Sequence, residues 1–461
     1  MIPTTLAEIA ATTGGRLDAG ATPGTVVHAA VVADSRQAVP GGMFVAVPGQ
    51  HVDGHDFAAE AVRAGAVAVL AERPVGVPAV VADDSVEALG RLARAAVDRL
   101  NADVVGVTGS SGKTTTKDLL VQVLAARGPV AGPPGSYNTE VGVPLTVLTA
   151  DERTRTVVVE MGARGVGHIA RLCRIAPPQV GIVLNVGSAH LGEFGDQETT
   201  ARAKAELVDA LPEAGTAVLN ADDPMVQRMA NRTRARVLFV GEAAGADIRA
   251  ENVALDAAGR AGFTLATPSG AAPVSLGLVG EHQVANALAT AGAALALGLD
   301  PDVVAEQLTK ARGLSRWRME VTDRPDGVTV VNDAYNANPE SMRAALKALA
   351  AMARGRRTWA VLGEMRELGD ASAAEHDAVG RLAVRLDINR LVAVGEAARP
   401  VHLGAAHEGS WGEEAAWVPD VGAALALLRA QLRPGDVVLV KASRAAGMER
   451  LAEALLREVA G

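Results

Sequence analysis

The sequence predicts an α/β protein of three domains. A small N-terminal α/β domain spans residues 1–101, a central domain of mostly parallel sheet spans 102–313, and a Rossmann-like α/β domain spans 314–461. Three observations predict this. The 461 residues exceed what one ordinary hydrophobic core organises. Short β-branched runs alternate with stretches of 3.6-residue apolar spacing along most of the chain. At residues 104–115 the run Val-Val-Gly-Val-Thr-Gly-Ser-Ser-Gly-Lys-Thr-Thr reads as strand, glycine-rich turn and helix start, the setting of a phosphate-binding loop.

In the first domain, residues 6–11 suggest a helix, 26–32 a strand and 43–47 another. Residues 58–64 and 86–100 carry helical spacing, with short strands at 67–70 and 79–81 between them. Asp34-Ser35-Arg36 follows a strand, and residues 49–57 form a glycine-bounded polar loop containing Asp53 and His55. Such loops bind ligands in α/β units, yet ordinary turn chemistry accounts for these residues equally simply.

In the central domain, Gly106 to Thr114 is read as the pattern G-x-x-x-x-G-K-[ST]. Glycines let the backbone fold its N–H groups around an anion. The helix opening at Lys113 adds a positive dipole end, Lys113 a mobile cation, and Thr114 a hydroxyl for magnesium. Thr108, Gly109, Ser110, Ser111, Gly112 and Thr115 complete this nucleotide cradle, which implies ATP or GTP. Strands are expected at 156–159, 180–184, 217–220 and 237–240. The first ends in Glu160, an acid at a strand tip beside the loop, where a magnesium-directing carboxylate belongs. Asn138, in a loop punctuated by Gly and Pro, either sets an amide near a γ-phosphate or caps a turn. His190 follows the strand at 180–184; it either joins Glu160 at a magnesium ion or is a satisfied loop histidine. Lys204 falls in an amphipathic helix, 198–210, where a lysine is ordinarily a solvated charge. His282 and Asn286 open an Ala-rich helix, and Asn286 is either a packed amide or an adenine reader.

The last domain has expected strands at 328–331, 358–362, 391–394 and 437–440, with helices at 341–353 and 373–386 between them. No glycine-rich fingerprint follows its first strand, which runs instead into Asn332-Asp333-Ala334-Tyr335-Asn336-Ala337-Asn338-Pro339. Arg318 and Asp333 flank its start. An arginine there can clamp phosphates and a carboxylate can take a ribose hydroxyl, or the two form a surface ion pair.

A net charge of −9 argues against a nucleic-acid partner, which calls for a basic face. One cysteine, Cys173, excludes an intrachain disulfide and leaves no Cys-based zinc site. Residues 1–5 lack the cationic start and apolar run of a secretory signal. The longest uncharged stretch, 284–299, is short for a bilayer span. A cytoplasmic, monomeric protein without a membrane span is expected.

The ordered motifs together resemble the ATP-dependent Mur ligases. They include Asp34-Ser35-Arg36, Asp53-Gly54-His55, Thr108 to Thr115, Asn138 with Gly142-Val143-Pro144, and Glu160-Met161-Gly162. Further along come Ala189-His190-Leu191, Ala203-Lys204-Ala205-Glu206, Gly280-Glu281-His282 with Asn286, and Arg318-Met319-Glu320. The series ends with Asp333, Tyr335 to Pro339, Leu362-Gly363-Glu364-Met365, and Lys441 with Ser443-Arg444. The Tyr-Asn-Ala-Asn-Pro run and Lys-x-Ser-Arg point within the family to addition of D-alanyl-D-alanine to UDP-N-acetylmuramoyl-tripeptide.

The resemblance implies a role for each residue. Lys113, Lys204, His190, Glu160 and Asn138 would be catalytic, with magnesium on Thr114, Glu160, His190 and a carbamylated Lys204. ATP would meet the phosphate loop, with His282 and Asn286 at adenine, Asp333 at ribose and Arg318 at the phosphates. Ser35, Arg36, Asp53 and His55 would hold the uridine-nucleotide end. Tyr335, Asn336, Asn338, Ser443 and Arg444 would receive the dipeptide. Two departures stand out: Ser136 and Thr139 replace asparagines frequent in the family, and Ala442 replaces a glycine, so the turn before Ser443 is expected to differ if that glycine needs positive φ.

Overall fold

The computed structural model describes residues 1–49, 52–187, 196–410 and 412–457. Its strands form three main sheets and one two-stranded ribbon, each sheet carrying its own helices. The fold is therefore α/β in three domains, as the sequence implied.

Helix Leu6–Thr13 starts at a capping box, with Thr5 and Glu8 satisfying each other's backbone N–H groups, and ends at Gly14 with φ 70°. The strand expected at 26–32 is two strands. Val26–Val27 pairs antiparallel with Thr4–Thr5, whereas Val31–Val32 pairs parallel with Met43–Val45. Between them His28 and Ala29 both donate to Gly41 O, so the chain changes partner within one apolar run. The N-terminal sheet has the order Arg16–Asp18, Ala79–Val81, Ala68–Ala71, Met43–Val45, Val31–Val32. Helix Ser85–Arg99, capped by Asp84, buries Leu89 and Leu92 in an apolar cluster that continues into Val143, Val147 and Ile169. The first domain thus rests on the second through shared core.

Among the described residues the central sheet has nine strands, and Asp103–Thr108 lies between Val180–Val183 and Thr156–Glu160. Val157, Val158 and Val159 are fully buried, as β-branched residues covered on both faces should be. The expected strand–helix alternation fails after Gly241. There Arg236–Gly241 is followed directly by Ile248–Leu255, Arg260–Thr267 and Gly270–Val279, the last two joints antiparallel. The physical reason lies in the residues. From 260 to 267 burial alternates with exposure, so one face packs on the core and the other meets water, and no covering helix is needed. The Ala-rich segment forms the buried helix Gln283–Ala296. Among the described residues no helix is long and apolar enough to cross a membrane.

In the C-terminal sheet the order is Glu320–Asp323, Thr329–Asn332, Val437–Lys441, Thr358–Leu362, Arg390–Val394, Ala415–Val418, all joints parallel except the first. Three strand ends therefore meet at one rim: Asp333, the Lys441–Ser443 segment and the Gly363–Glu364 turn. Ala442 is buried with no left-handed φ, so alanine fits this turn, and the left-handed position falls at Gly447.

The linker between the last two domains is fastened to helix Lys113–Leu124. Asp118 accepts from Ser315 N at 2.8 Å, and Gln122 exchanges hydrogen bonds with Arg312 N and O at 3.0 and 2.8 Å.

Candidate active site

Gly106 is not part of the loop. It is buried in strand Asp103–Thr108, opposite Val159 and Gly181, and five residues rather than four separate it from Gly112. The pattern read at 106–114 is thus one residue longer than G-x-x-x-x-G-K-[ST], and Gly109 and Gly112 are the loop's own glycines. A Cβ on Gly106 would press on Leu207 and Met161, which explains a glycine there by helix packing. Gly112 has φ 83° and caps helix Lys113–Leu124, and a side chain there would collide with Asn286 Oδ1. The first-turn N–H groups of that helix have no intrahelical acceptor, a geometry able to receive an anion.

Lys113 Nζ donates to Gly109 O at 2.6 Å, holding the loop closed on itself. Burial lowers its pKa, with Glu160 acting to raise it and Arg318 to lower it further. Beyond it, Thr114 Oγ1 donates to Glu160 Oε2 at 3.0 Å and lies 2.8 Å from Ser136 Oγ, while Asn138 Nδ2 donates to Glu160 Oε1 at 2.8 Å. Both oxygens of a 1 % exposed carboxylate are thereby aimed. Arg318 reaches in from the third domain, donating to Thr114 and Ser136 hydroxyls at 3.3 Å and lying over the Tyr335 ring at 4.2 Å. Its neighbours Trp317 and Met319 both take left-handed φ, 59° and 49°, a costly backbone for residues that carry a Cβ.

Lys204 is buried in helix Gln197–Asp209 rather than solvated. Burial, and secondarily Lys113, lowers its pKa well below the usual lysine value. Among the described residues no carboxylate pairs with it. His190 lies outside the described residues.

One cleft of about 480 Å³ brings together Ser110 to Thr115, Asn138, Glu160 and Lys204 with Arg318, Tyr335, Asn336, Asn338, Ser443 and Arg444. Thr108 sits beneath it, buried. Asp333, His282 and Asn286 do not line it. Asp333 receives Lys441 Nζ at 2.6 Å and Met319 N at 3.0 Å. His282 is pushed down to about 4, chiefly by burial, against the pull of Asp333. Asn286 donates to Gln283 Oε1 at 2.8 Å and accepts from Thr116.

Three family models match in chain order. One described as Mur ligase family, catalytic domain, covers residues 28–105; the Mur ligase middle domain covers 107–294; and the Mur ligase, glutamate ligase domain, covers 317–444. The UDP-N-acetylmuramoyl-tripeptide–D-alanyl-D-alanine ligase of Mycobacterium bovis is 51% identical over 99% of this chain and 98% of its own. The chain belongs to the Mur ligase family. The Escherichia coli ligase with the same name is 34% identical over 99% of both chains. A crystal structure of MurF from Acinetobacter baumannii superposes with TM-score 0.88 at 32% identity, covering 99% of both chains. That of MurF ligase from Thermotoga maritima in complex with ADP gives 0.80 at 33% identity, covering 94% of this chain and 98% of that one. The Mur ligase family membership makes this chain an ATP-dependent ligase.

The N-terminal candidates sit apart from the cleft of this Mur ligase. Arg36 is exposed and paired with Asp34 at 2.7 Å, beside a buried Ser35. His55 is buried and fully occupied, with Nδ1 2.6 Å from Asp53 Oδ1 and Nε2 accepting from Glu72 N at 2.9 Å. Asp53 also receives Arg73 at 2.8 Å, and the His55 backbone N–H and this guanidinium hold its pKa well below the carboxylate range.

Sequence reasoning missed Asn185. Its Oδ1 accepts from Ser110 N and Ser111 N at 2.9 Å each, fixing the rim of the phosphate loop. The available signal was an amide directly after the strand that neighbours Asp103–Thr108. Arg366, on the cleft wall, was missed as well.

Proposed function

We propose that this protein is an ATP-dependent ligase of peptidoglycan-precursor synthesis that joins D-alanyl-D-alanine to UDP-N-acetylmuramoyl-tripeptide, releasing ADP and phosphate. The observation that carries this is a single cleft in which the phosphate loop, Glu160 and Arg318 face Asn336, Ser443 and Arg444 of the third domain. A carboxylate is a poor acylating agent. Its oxygen therefore attacks the γ-phosphorus of ATP, the bond to ADP breaks, and an acyl phosphate forms. The dipeptide's α-amine attacks the acyl carbon, phosphate departs, and the nitrogen loses a proton. Lys113 and Arg318 offset the negative charge gathered in the cleft.

Thr114 and Glu160 are the oxygen donors that magnesium prefers, and they stand 3.0 Å apart, so the residues fit that ion. When bound it would neutralise phosphoryl oxygens. Lys204 as a cation does not fit. Its burial beside Lys113 favours the neutral amine, the form that takes up carbon dioxide to become an oxygen ligand, and His190 would complete the set. Asn138 orients Glu160. His282 and Asn286 serve adenine and Asp333 the ribose, which requires Asp333 to share itself with Lys441. Residues 1–101, through Ser35, Arg36 and the Asp53–His55 loop, hold the uridine nucleotide. Residues 102–313 hold ATP, and 314–461 bring the dipeptide, with Tyr335 and Asn338 beside it. The enzyme works in the cytoplasm as a monomer, without nucleic acid.

The test offers purified protein ATP, magnesium, UDP-N-acetylmuramoyl-tripeptide and a panel of amines while phosphate is followed. Release that depends on D-alanyl-D-alanine is expected. A better response to a single amino acid would move the protein to another branch of the family, and hydrolysis indifferent to any amine would make it a nucleotide switch.

A further inference from the structure

The turn after strand Thr358–Leu362 carries Gly363-Glu364-Met365 and Arg366, a motif to which the ligase chemistry assigns no task. It is fastened at four points. Gly363 N donates to Lys441 O at 2.9 Å and Glu364 O accepts from Ser443 N at 2.9 Å. Met365 N donates to His376 Nε2 at 2.8 Å, and Arg366 N to Ser443 Oγ at 2.9 Å. The next residue, Glu367, takes a left-handed φ of 65°, a strained backbone that such anchoring sustains.

His376 is the one anchor supplied by a side chain from the following helix, Ser372–Arg385, and it is 0 % exposed. Its partners dictate its tautomer. Nδ1 lies 2.7 Å from Ser372 O, which can only accept, so Nδ1 carries the hydrogen. Nε2 is left as the acceptor that an N–H donor such as Met365 requires. Burial lowers the pKa of this imidazole and keeps it in that neutral form, although Glu364 and Glu375 act the other way.

What the turn presents is a cation. Arg366 is 59 % exposed and lines the cleft, with its ion-pair partner Glu364 no nearer than 3.7 Å. Arg444, on the same wall, is already committed to Glu449 at 3.1 Å and to the Trp317 ring at 4.1 Å. A dipeptide that directs its amine towards the phosphate loop turns its carboxylate to the third domain. With Arg318 turned towards the phosphate loop, Arg366 is the exposed third-domain guanidinium whose own ion pair is long enough to yield to that carboxylate.

We propose that Arg366 binds the carboxylate of the incoming dipeptide and that His376 is the positioning residue that holds its turn in place. This rests on the ligase reading above, and the experiment separates the two. Wild-type protein is first assayed with ATP, UDP-N-acetylmuramoyl-tripeptide and D-alanyl-D-alanine; no turnover there removes the ligase reading itself. With turnover in hand, Arg366→Ala and His376→Leu should each raise the dipeptide KM about tenfold or more, the scale of one charge-assisted hydrogen bond. KM for ATP should stay within about twofold in both. D-alanyl-D-alaninamide, which lacks the carboxylate, should lose no further affinity in either variant. His376→Gln, whose amide oxygen can still accept from Met365 N, should recover most of the loss and decides the matter should the leucine variant not fold. Equal losses on dipeptide and amide, an unchanged dipeptide KM in Arg366→Ala, or no difference between wild type and His376→Leu would overturn the proposal.

Discussion

The cleft and the Asp53–His55 loop are both polar and both matched family motifs, yet they are held together in opposite ways. In the loop the polar groups satisfy one another locally: His55 is spent on Asp53 and Glu72 N, and Asp53 on Arg73. In the cleft the partners come from segments far apart in sequence. Thr114 meets Glu160 and Ser136, Arg318 meets both hydroxyls from another domain, and Asn338 Nδ2 reaches Ser110 O at 3.3 Å. Two polar stretches thus differ in kind: one spends its groups on shaping a loop, and the other leaves them facing a cleft.

That contrast can be broken by substitution. The largest effect is expected from Lys113→Ala, which should cut acceptor-dependent phosphate release at least about 10²-fold, because a preorganised charge at the phosphates is lost. Its urea midpoint should move little, since one hydrogen bond to Gly109 O is lost while a half-buried, desolvated cation is removed with it. In His55→Ala the order reverses. Leaving Glu72 N without its acceptor should cost about 1–3 kcal/mol in urea unfolding while KM for ATP stays unchanged. If His55→Ala instead changes ATP kinetics at constant stability, the two regions are not distinct.

Acid sharpens the comparison through two histidines that lie outside the cleft. His282 has a folded pKa of about 4, below its unfolded value, and that of His376 is lowered as well. The unfolded chain therefore binds more protons between about pH 6.5 and 4, so stability falls as pH drops through that window. Each histidine contributes at most about 1.4 kcal/mol per pH unit. Denaturant titrations at pH 7 and 5.5 should show the loss, and His282→Gln should shrink it. The smallest effect belongs to Arg36→Ala. This exposed pair should change stability by less than about 0.5 kcal/mol, and only KM for the UDP-linked substrate should rise.

Much of this was legible from residues alone, for reasons that also mark the limits. Runs such as 156–159 and 437–440 are strands because β-branched residues buried on both faces leave a continuous apolar signal. The break at 26–32 was not legible, because a change of pairing partner leaves no trace in hydropathy. Glu160 stood out through its place at a strand tip. Lys204 did not, because an amphipathic helix says nothing about which face meets another charge, and only packing buries that amine beside Lys113. Asn185 was hidden for a similar reason: its value comes from the neighbouring strand, supplied more than 70 residues earlier.

The strand Val437–Lys441 sits between Thr329–Asn332 and Thr358–Leu362, though it is synthesised after every other strand of that sheet. The ribosome must deliver residue 441 before the middle of the sheet can be filled, so this domain cannot mature piecemeal as it emerges. Until then Asp333 has no lysine, and nascent chains stalled short of that point should leave the domain sensitive to proteases while the phosphate-loop domain is already protected.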